Sequence, residues 1–131
     1  MKNKSDPRHQ LRVKTMKQLF EKNFRVTQLA KTSDTYQIYA NRQKIDKIIS
    51  KNAPAWPLNQ ISSVDLATLR LAIWELKFKE KKEPYKAVID EAVELAKQFG
   101  TQASPNFVNG VLGSVVKDKF KQWLIPKYLK T

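Results

Sequence analysis

The stretch SSVDLATLRLAIWELKF, residues 62–78, constrains the fold more than any other part of this chain. Its apolar residues are Val64, Leu66, Leu69, Leu71, Ile73, Trp74, Leu76 and Phe78. On a helical period they nearly encircle the axis. A surface helix needs one apolar stripe, whereas a helix apolar all round has to be enclosed by others. Ser62 supplies a start signal, with Asp65 at the fourth position of a capping-box-like pattern in which Asp stands for the usual Glu. The stretch therefore predicts the central helix of an all-α domain.

The flanking sequence supplies the enclosing helices. Pro7 suits a helix start, and Val13, Met16, Phe20 and Phe24 share one face of a helix expected to reach about Phe24. Leu11 and Leu19 widen that stripe. Residues 27–40 show no clear period, although KTSD reads as a turn. Ile45, Ile48 and Ile49 then share a face of a short helix that Pro54 stops. Val88, Ala92, Leu95, Ala96 and Phe99 form the next stripe, with Pro84 in its first turn and Gly100 as its C-terminal cap. Ser104 is expected to cap the last helix, with Pro105 at its first position and an end near Trp123. No segment alternates as a strand would. The expected architecture is a compact all-α bundle of about six helices.

A length of 131 residues suits one domain. Residues 1–7 are expected to be a disordered basic N-terminus, 8–125 the domain, and 126–131 a basic tail. One puzzle lies inside the last helix. It holds Gly110 and Gly113, two of only three glycines in the chain. Each gives up about 1 kcal/mol of helix propensity relative to Ala. The expected compensation is close approach to the central helix, with Asn109 bonding across the contact.

Charge narrows the function. Twenty-five Lys and Arg against twelve Asp and Glu give a net charge of +13. Most of the excess sits in residues 1–25 and 117–131. Such clustering points to a polyanionic partner, nucleic acid before membrane. No apolar run is long enough to span a membrane, and the N-terminus lacks the apolar stretch of a secretory signal. The absence of cysteine excludes thiol catalysis and fits the cytoplasm. A single histidine, His9, excludes a multi-histidine metal site, and it lies in what reads as an exposed basic flank. There is no phosphate-binding loop and no nucleophile motif. Asp90, Glu91 and Glu94 read as ordinary charge near a helix start. No enzyme, cofactor or metal is expected. Arg8 and Arg12, four residues apart on the first helix, are spaced for phosphate contacts. Trp123 and Tyr128, near the basic C-terminal part, could stack on bases or pack.

Three stretches in order carry a family resemblance: SSVDLATLRLAIWEL, EPYKAVIDEAVELAKQFG and FVNGVLGSVV. Together they resemble the NusB family of bacterial transcription antitermination factors, strongly over residues 45–117. The resemblance is weaker at the N-terminus, where RHQLRVKTMKQLF is similar to that family's basic first helix. It implies a helical fold of two packed subdomains. It also implies binding to boxA-type RNA together with NusE, a small-subunit ribosomal protein, within the transcription elongation complex of ribosomal RNA operons. A monomer in a heterodimer and a homodimer both stay open. The alternative is a ribosome-assembly or protein-interaction adaptor that does not itself read RNA.

By the same resemblance Arg8, His9 and Arg12 match the family's arginine-rich run, with His9 where arginine is frequent. Phe107 matches an RNA-facing aromatic, and Ser104 lies in the loop beside it. Asp65 and Glu75 match acidic positions facing NusE. Ala103 stands where the family often has an acidic residue. One repulsive charge near the phosphates is thereby missing, which implies tighter RNA binding than that of an Ala103→Asp variant at the same salt. Residues 25–44 are shorter than the corresponding family segment.

Overall fold

In the computed structural model, residues 5–21 and 28–124 are described, with 118–124 as helical backbone only. The order is α1 (Pro7–Phe20), α2 (Asp34–Ala40), α3 (Arg42–Asn52), a 3-10 turn (Leu58–Gln60), α4 (Ser63–Lys77), α5 (Tyr85–Phe99) and α6 (Ser104–Leu124). The described residues form no strand.

The all-round apolar stretch is the central helix. Ala67, Leu69, Leu71, Ala72, Ile73, Trp74 and Leu76 of α4 are all buried. The helix touches α1, α2, α3, α5 and α6. Its start is set by Ser62, whose side-chain oxygen accepts from the Asp65 N–H at 3.3 Å. Met16, Ile38, Ile45, Ile49, Val88, Leu95, Val108, Leu112 and Val115 complete the core around it.

Residues 27–40 contain a helix that the sequence left unassigned. Ser33 caps α2, its oxygen accepting from the Tyr36 N–H at 3.2 Å. Thr35, Tyr36, Ile38 and Tyr39 are β-branched or aromatic, which lowers propensity and hides the helix from a propensity reading. Tertiary contact compensates: Ile38 is fully buried, and the Thr35 hydroxyl donates to Gln18 at 2.6 Å.

The first helix differs from expectation in extent and in facing. It begins at Pro7, as expected, with Asp6 accepting from the Arg8 N–H at 2.8 Å. It ends at Phe20, and Phe24 lies outside the described residues. Its buried residues are His9, Arg12, Thr15 and Met16, while Leu11 and Phe20 are exposed. Val13, Met16 and Leu19 of the expected stripe pack on the core, and an adjoining polar face is turned inward as well because α4 and α5 present carboxylates there. The asymmetry of apolar residues alone could not reveal that.

The glycines also require a correction. A Cβ on Gly110 or Gly113 would meet nothing within 4 Å, so close approach does not explain them. Asn109 is exposed and makes no cross-helix hydrogen bond among the described residues; such a bond comes from Ser114, whose hydroxyl donates to Asn52 at 2.7 Å. The α6 helix packs most extensively on α5 rather than on α4. Gly100 is the crowded glycine: its Cβ would lie 2.5 Å from the Ser104 hydroxyl oxygen and 2.8 Å from the Ala96 carbonyl oxygen. Gly100→Ala is therefore expected to destabilise by about 1–3 kcal/mol through overpacking. Gly113→Ala, in a helix with open space, is expected to stabilise by about 0.5–1 kcal/mol. Thermal melts should move in opposite directions.

Candidate nucleic-acid and partner interface

The site residues expected from sequence fall into two groups. The first is an ionic cluster under α1. The Arg12 guanidinium donates twice to Glu75 of α4, from Nε to Oε2 at 2.9 Å and from Nη2 to Oε1 at 2.8 Å. Arg12 also pairs with Glu83, in the segment leading into α5, and lies 3.9 Å from Glu91 of α5. His9 Nδ1 is 2.9 Å from Glu91 Oε2. The side chains of Arg12, Glu75 and His9 are all nearly inaccessible. Burial pulls the Arg12 pKa down, but the hydrogen bond and charge of Glu75, with those of Glu83, outweigh it and raise the value above the ordinary one. Arg12 is therefore a permanent cation.

This geometry corrects the exposed basic flank expected from sequence. His9 is 3% exposed, and Arg12 is committed to carboxylates rather than open to solvent. Glu75 likewise presents no free carboxylate to a partner. The reason is desolvation: a carboxylate buried on the central helix requires a matched cation, and a guanidinium fork fits it bidentately. Arg8 alone of the three stays at the surface, with a side chain 72% exposed. It lies 3.3 Å from Asp6 and 3.9 Å from Glu83. The Arg8 side-chain hydrogen bond, then its backbone N–H, hold the Asp6 carboxyl below the usual range. That contribution to the helix start is complete above the ordinary value of 3.8 and is lost as pH falls through the lower folded value.

The second group surrounds the start of α6. Phe107, in its first turn, is half-buried, and its ring meets Trp56 edge-on with centroids 6.3 Å apart and planes at 79°. Beside them is a cavity of 230 Å³ lined by Trp56, Gln60, Ile61, Ser62, Asp65, Thr101, Ala103 and Phe107. Asp65 thus shares a site with Phe107 rather than with Glu75. Asp65 is 8% exposed, and its Oδ1 accepts no hydrogen bond among the described residues.

Ser104 is fully buried and serves this loop from behind. Its oxygen accepts from the Thr101 N–H at 2.9 Å and lies 3.2 Å from the Thr101 hydroxyl. It faces back toward the end of α5 instead of capping α6. The Phe107 N–H bonds to the Ala103 carbonyl at 3.1 Å, so Ala103 is the residue that leads into the helix. Pro105 then sits second in the helix, not first.

Trp56 was not singled out by the sequence, though a signal existed. It stands in PAWP, between prolines that bar it from a helix stripe, and it is 52% exposed. Glu83 and Glu91 were also missed, because their role depends on a helix approach that no local pattern encodes. Side chains of Trp123 and Tyr128 lie outside the described residues. The described residues include no helix long and apolar enough to cross a membrane.

Known proteins give these two clusters a context. The NusB family model matches residues 7–117. Transcription antitermination protein NusB of Herpetosiphon aurantiacus is 54% identical over 80 residues, which is 60% of this chain and 55% of that protein. The protein of the same name from Chloroflexus aggregans is 56% identical over 79 residues, covering 60% of this chain and 53% of its own length. The match thus spans about half the length of these relatives. A solved structure of T. maritima NusB superposes with a TM-score of 0.74 at 36% identity, covering 95% of this chain and all of that one. The all-helical fold, the matched length and the identity agree, and the chain belongs to the NusB family, a family of transcription antitermination proteins and not of enzymes.

Proposed function

We propose that this chain is an RNA-binding antitermination factor that binds boxA-type RNA together with NusE in the bacterial cytoplasm and promotes processive transcription of ribosomal RNA operons. The observation that carries the reading is the partly exposed Trp56–Phe107 pair beside the start of α6, on a family member with a net charge of +13. Aromatic rings on a basic surface are the usual means of holding single-stranded RNA. Phe107 stacks a base, Ser104 holds the loop that presents it, and Arg8 contacts phosphate. His9 and Arg12 act indirectly, fixing α1 so that Arg8 and the exposed Lys14 are held at the surface. NusE is then a partner for the remaining surface, since the Glu75 carboxylate is engaged by Arg12.

The test is a gel shift of labelled boxA-like RNA against a scrambled control, with and without NusE, at several salt concentrations. The expected result is boxA preference, tighter binding with NusE, and affinity that falls steeply with salt. Capture of NusE that survives nuclease, without boxA preference, would favour the adaptor reading.

A further inference from the structure

We propose that the exposed face of α3 carries the RNA chain onward from the Trp56–Phe107 pair, binding its phosphates without reading its bases; the proposal rests on the RNA-binding reading and adds a second surface to it. Lys44, Lys47 and Lys51 recur at steps of three and four, and all are exposed. On a helix that spacing sets them on one side, in a row about 10 Å long. Ile45 and Ile49 hold the opposite side in the core, so the row cannot turn inward. Gln43 and Ser50 are exposed beside Lys47, and these three line a shallow hollow of 440 Å³ together with Asp46. Asp46 is the one acid on this helix, and Arg70 of α4 donates to both its oxygens, from Nε to Oδ1 and from Nη2 to Oδ2, each at 2.9 Å. With that charge matched, the face offers a ligand groups able to donate hydrogen bonds: three ammoniums, an amide and a hydroxyl.

A solvated helix face is stabilised when its lysines have carboxylates three or four residues away. Here the neighbours of Lys47 at those spacings are Gln43, Lys44, Ser50 and Lys51, so like charges face one another. Lys44 and Lys47 have no ion pair among the described residues. The first turn of α3 carries Arg42 and Lys44 and no acid, against the helix dipole, and Asn41 gives no side-chain cap. Only Lys51 sits in the last turn, where the dipole favours a cation. The helix forms because Ile45 and Ile49 are buried, and a row of charges that opposes its own helix is explained by a polyanion that relieves the repulsion. The position of the row selects the occupant. Asn52, next to Lys51, is bonded to Ser114 of α6, the helix whose first turn holds Phe107. Trp56 follows five residues after Lys51, its N–H donating to the Ala53 carbonyl at 3.1 Å. A strand leaving the aromatic pair over the end of α3 therefore runs onto the lysine row. Lysine, a point charge on a flexible stem, suits phosphates along a track that carries no sequence information.

The experiment measures binding of the full chain to a labelled boxA-like RNA, alone or lengthened by uridines or by adenosines at one end or the other, across several salt concentrations. Lengthening at one end is expected to tighten binding about tenfold and to steepen the salt dependence by about two to three contacts, equally for uridines and adenosines. Lys44→Gln, Lys47→Gln and Lys51→Gln together are expected to remove that gain and to leave affinity for the unextended RNA as it was. The fold is kept, because all three side chains are exposed and glutamine matches lysine as a helix former. The melting temperature should hold or rise as the repulsion is removed. No gain from either extension overturns the α3 path, while binding of the unextended RNA leaves the RNA reading intact. No binding of any RNA overturns both. A gain with only one of the two bases overturns the phosphate-only track. In the triple variant, an equal loss for short and long RNAs overturns the path in favour of a net-charge effect, and an unchanged gain overturns the assignment to these lysines. Loss of NusE capture with RNA binding unchanged gives the face to a protein and overturns the proposal too.

Discussion

Arg12→Met is expected to destabilise the fold by about 3–5 kcal/mol, the largest single loss among the residues first read as RNA contacts. The variant removes both hydrogen bonds to Glu75 and leaves that carboxylate 4% exposed and without its guanidinium partner. Lys79 Nζ, 3.9 Å from Glu75 Oε1, is a poor substitute because it approaches from one side with a point charge. The loss comes from the stranded carboxylate and not from the pair as such. Arg12→Met combined with Glu75→Met should therefore recover much of the stability, and denaturant midpoints of the two singles and the double measure that coupling. Arg8→Ala provides the contrast. Its side chain is largely in solvent, so the midpoint should stay put, while RNA affinity falls and the salt slope drops by about one contact. A stable Arg12→Met protein with weakened RNA binding would return Arg12 to the phosphate surface.

The difference between these arginines marks how far the sequence could be read. The central helix was legible because Val64 to Phe78 carry a pattern with one physical solution, enclosure by other helices. The α5 stripe was legible for a similar reason: one helix face records its own burial. The inward face of α1 was legible only in part: Val13, Met16 and Leu19 pack on the core as their spacing predicts, whereas Phe20 stays exposed and the carboxylates of α4 and α5 turn Arg12 and His9 inside. That outcome depends on three segments meeting, and only their packing brings Glu75, Glu83 and Glu91 together. The same limit explains the glycines. Gly110 and Gly113 look crowded in a list of helix residues, but the helix turns them toward open space. Phe107 was singled out through family resemblance. Its partner Trp56 was readable as an aromatic stranded between prolines, and its proximity to Asp65 was not.

Phe107→Ala is expected to lower RNA affinity by about 10–100-fold, the span that corresponds to loss of one base–aromatic stack. It should also cost some stability, because the ring packs partly against the core. A half-buried ring should cost less than the roughly 3–5 kcal/mol of a fully buried phenylalanine, on the order of 1–2 kcal/mol. The two effects need separating, and Phe107→Leu does so. Leucine refills most of the apolar volume beside Trp56 and should restore much of the melting temperature. It has no ring face, so it should not restore RNA affinity when binding is measured well below the melt. Packing and stacking thus predict different orders: stability should rank Phe, Leu, Ala, whereas affinity should place Leu with Ala. Equal RNA affinity of the leucine variant and the parent chain would mean that Phe107 serves packing alone, and that the RNA surface lies elsewhere on the chain.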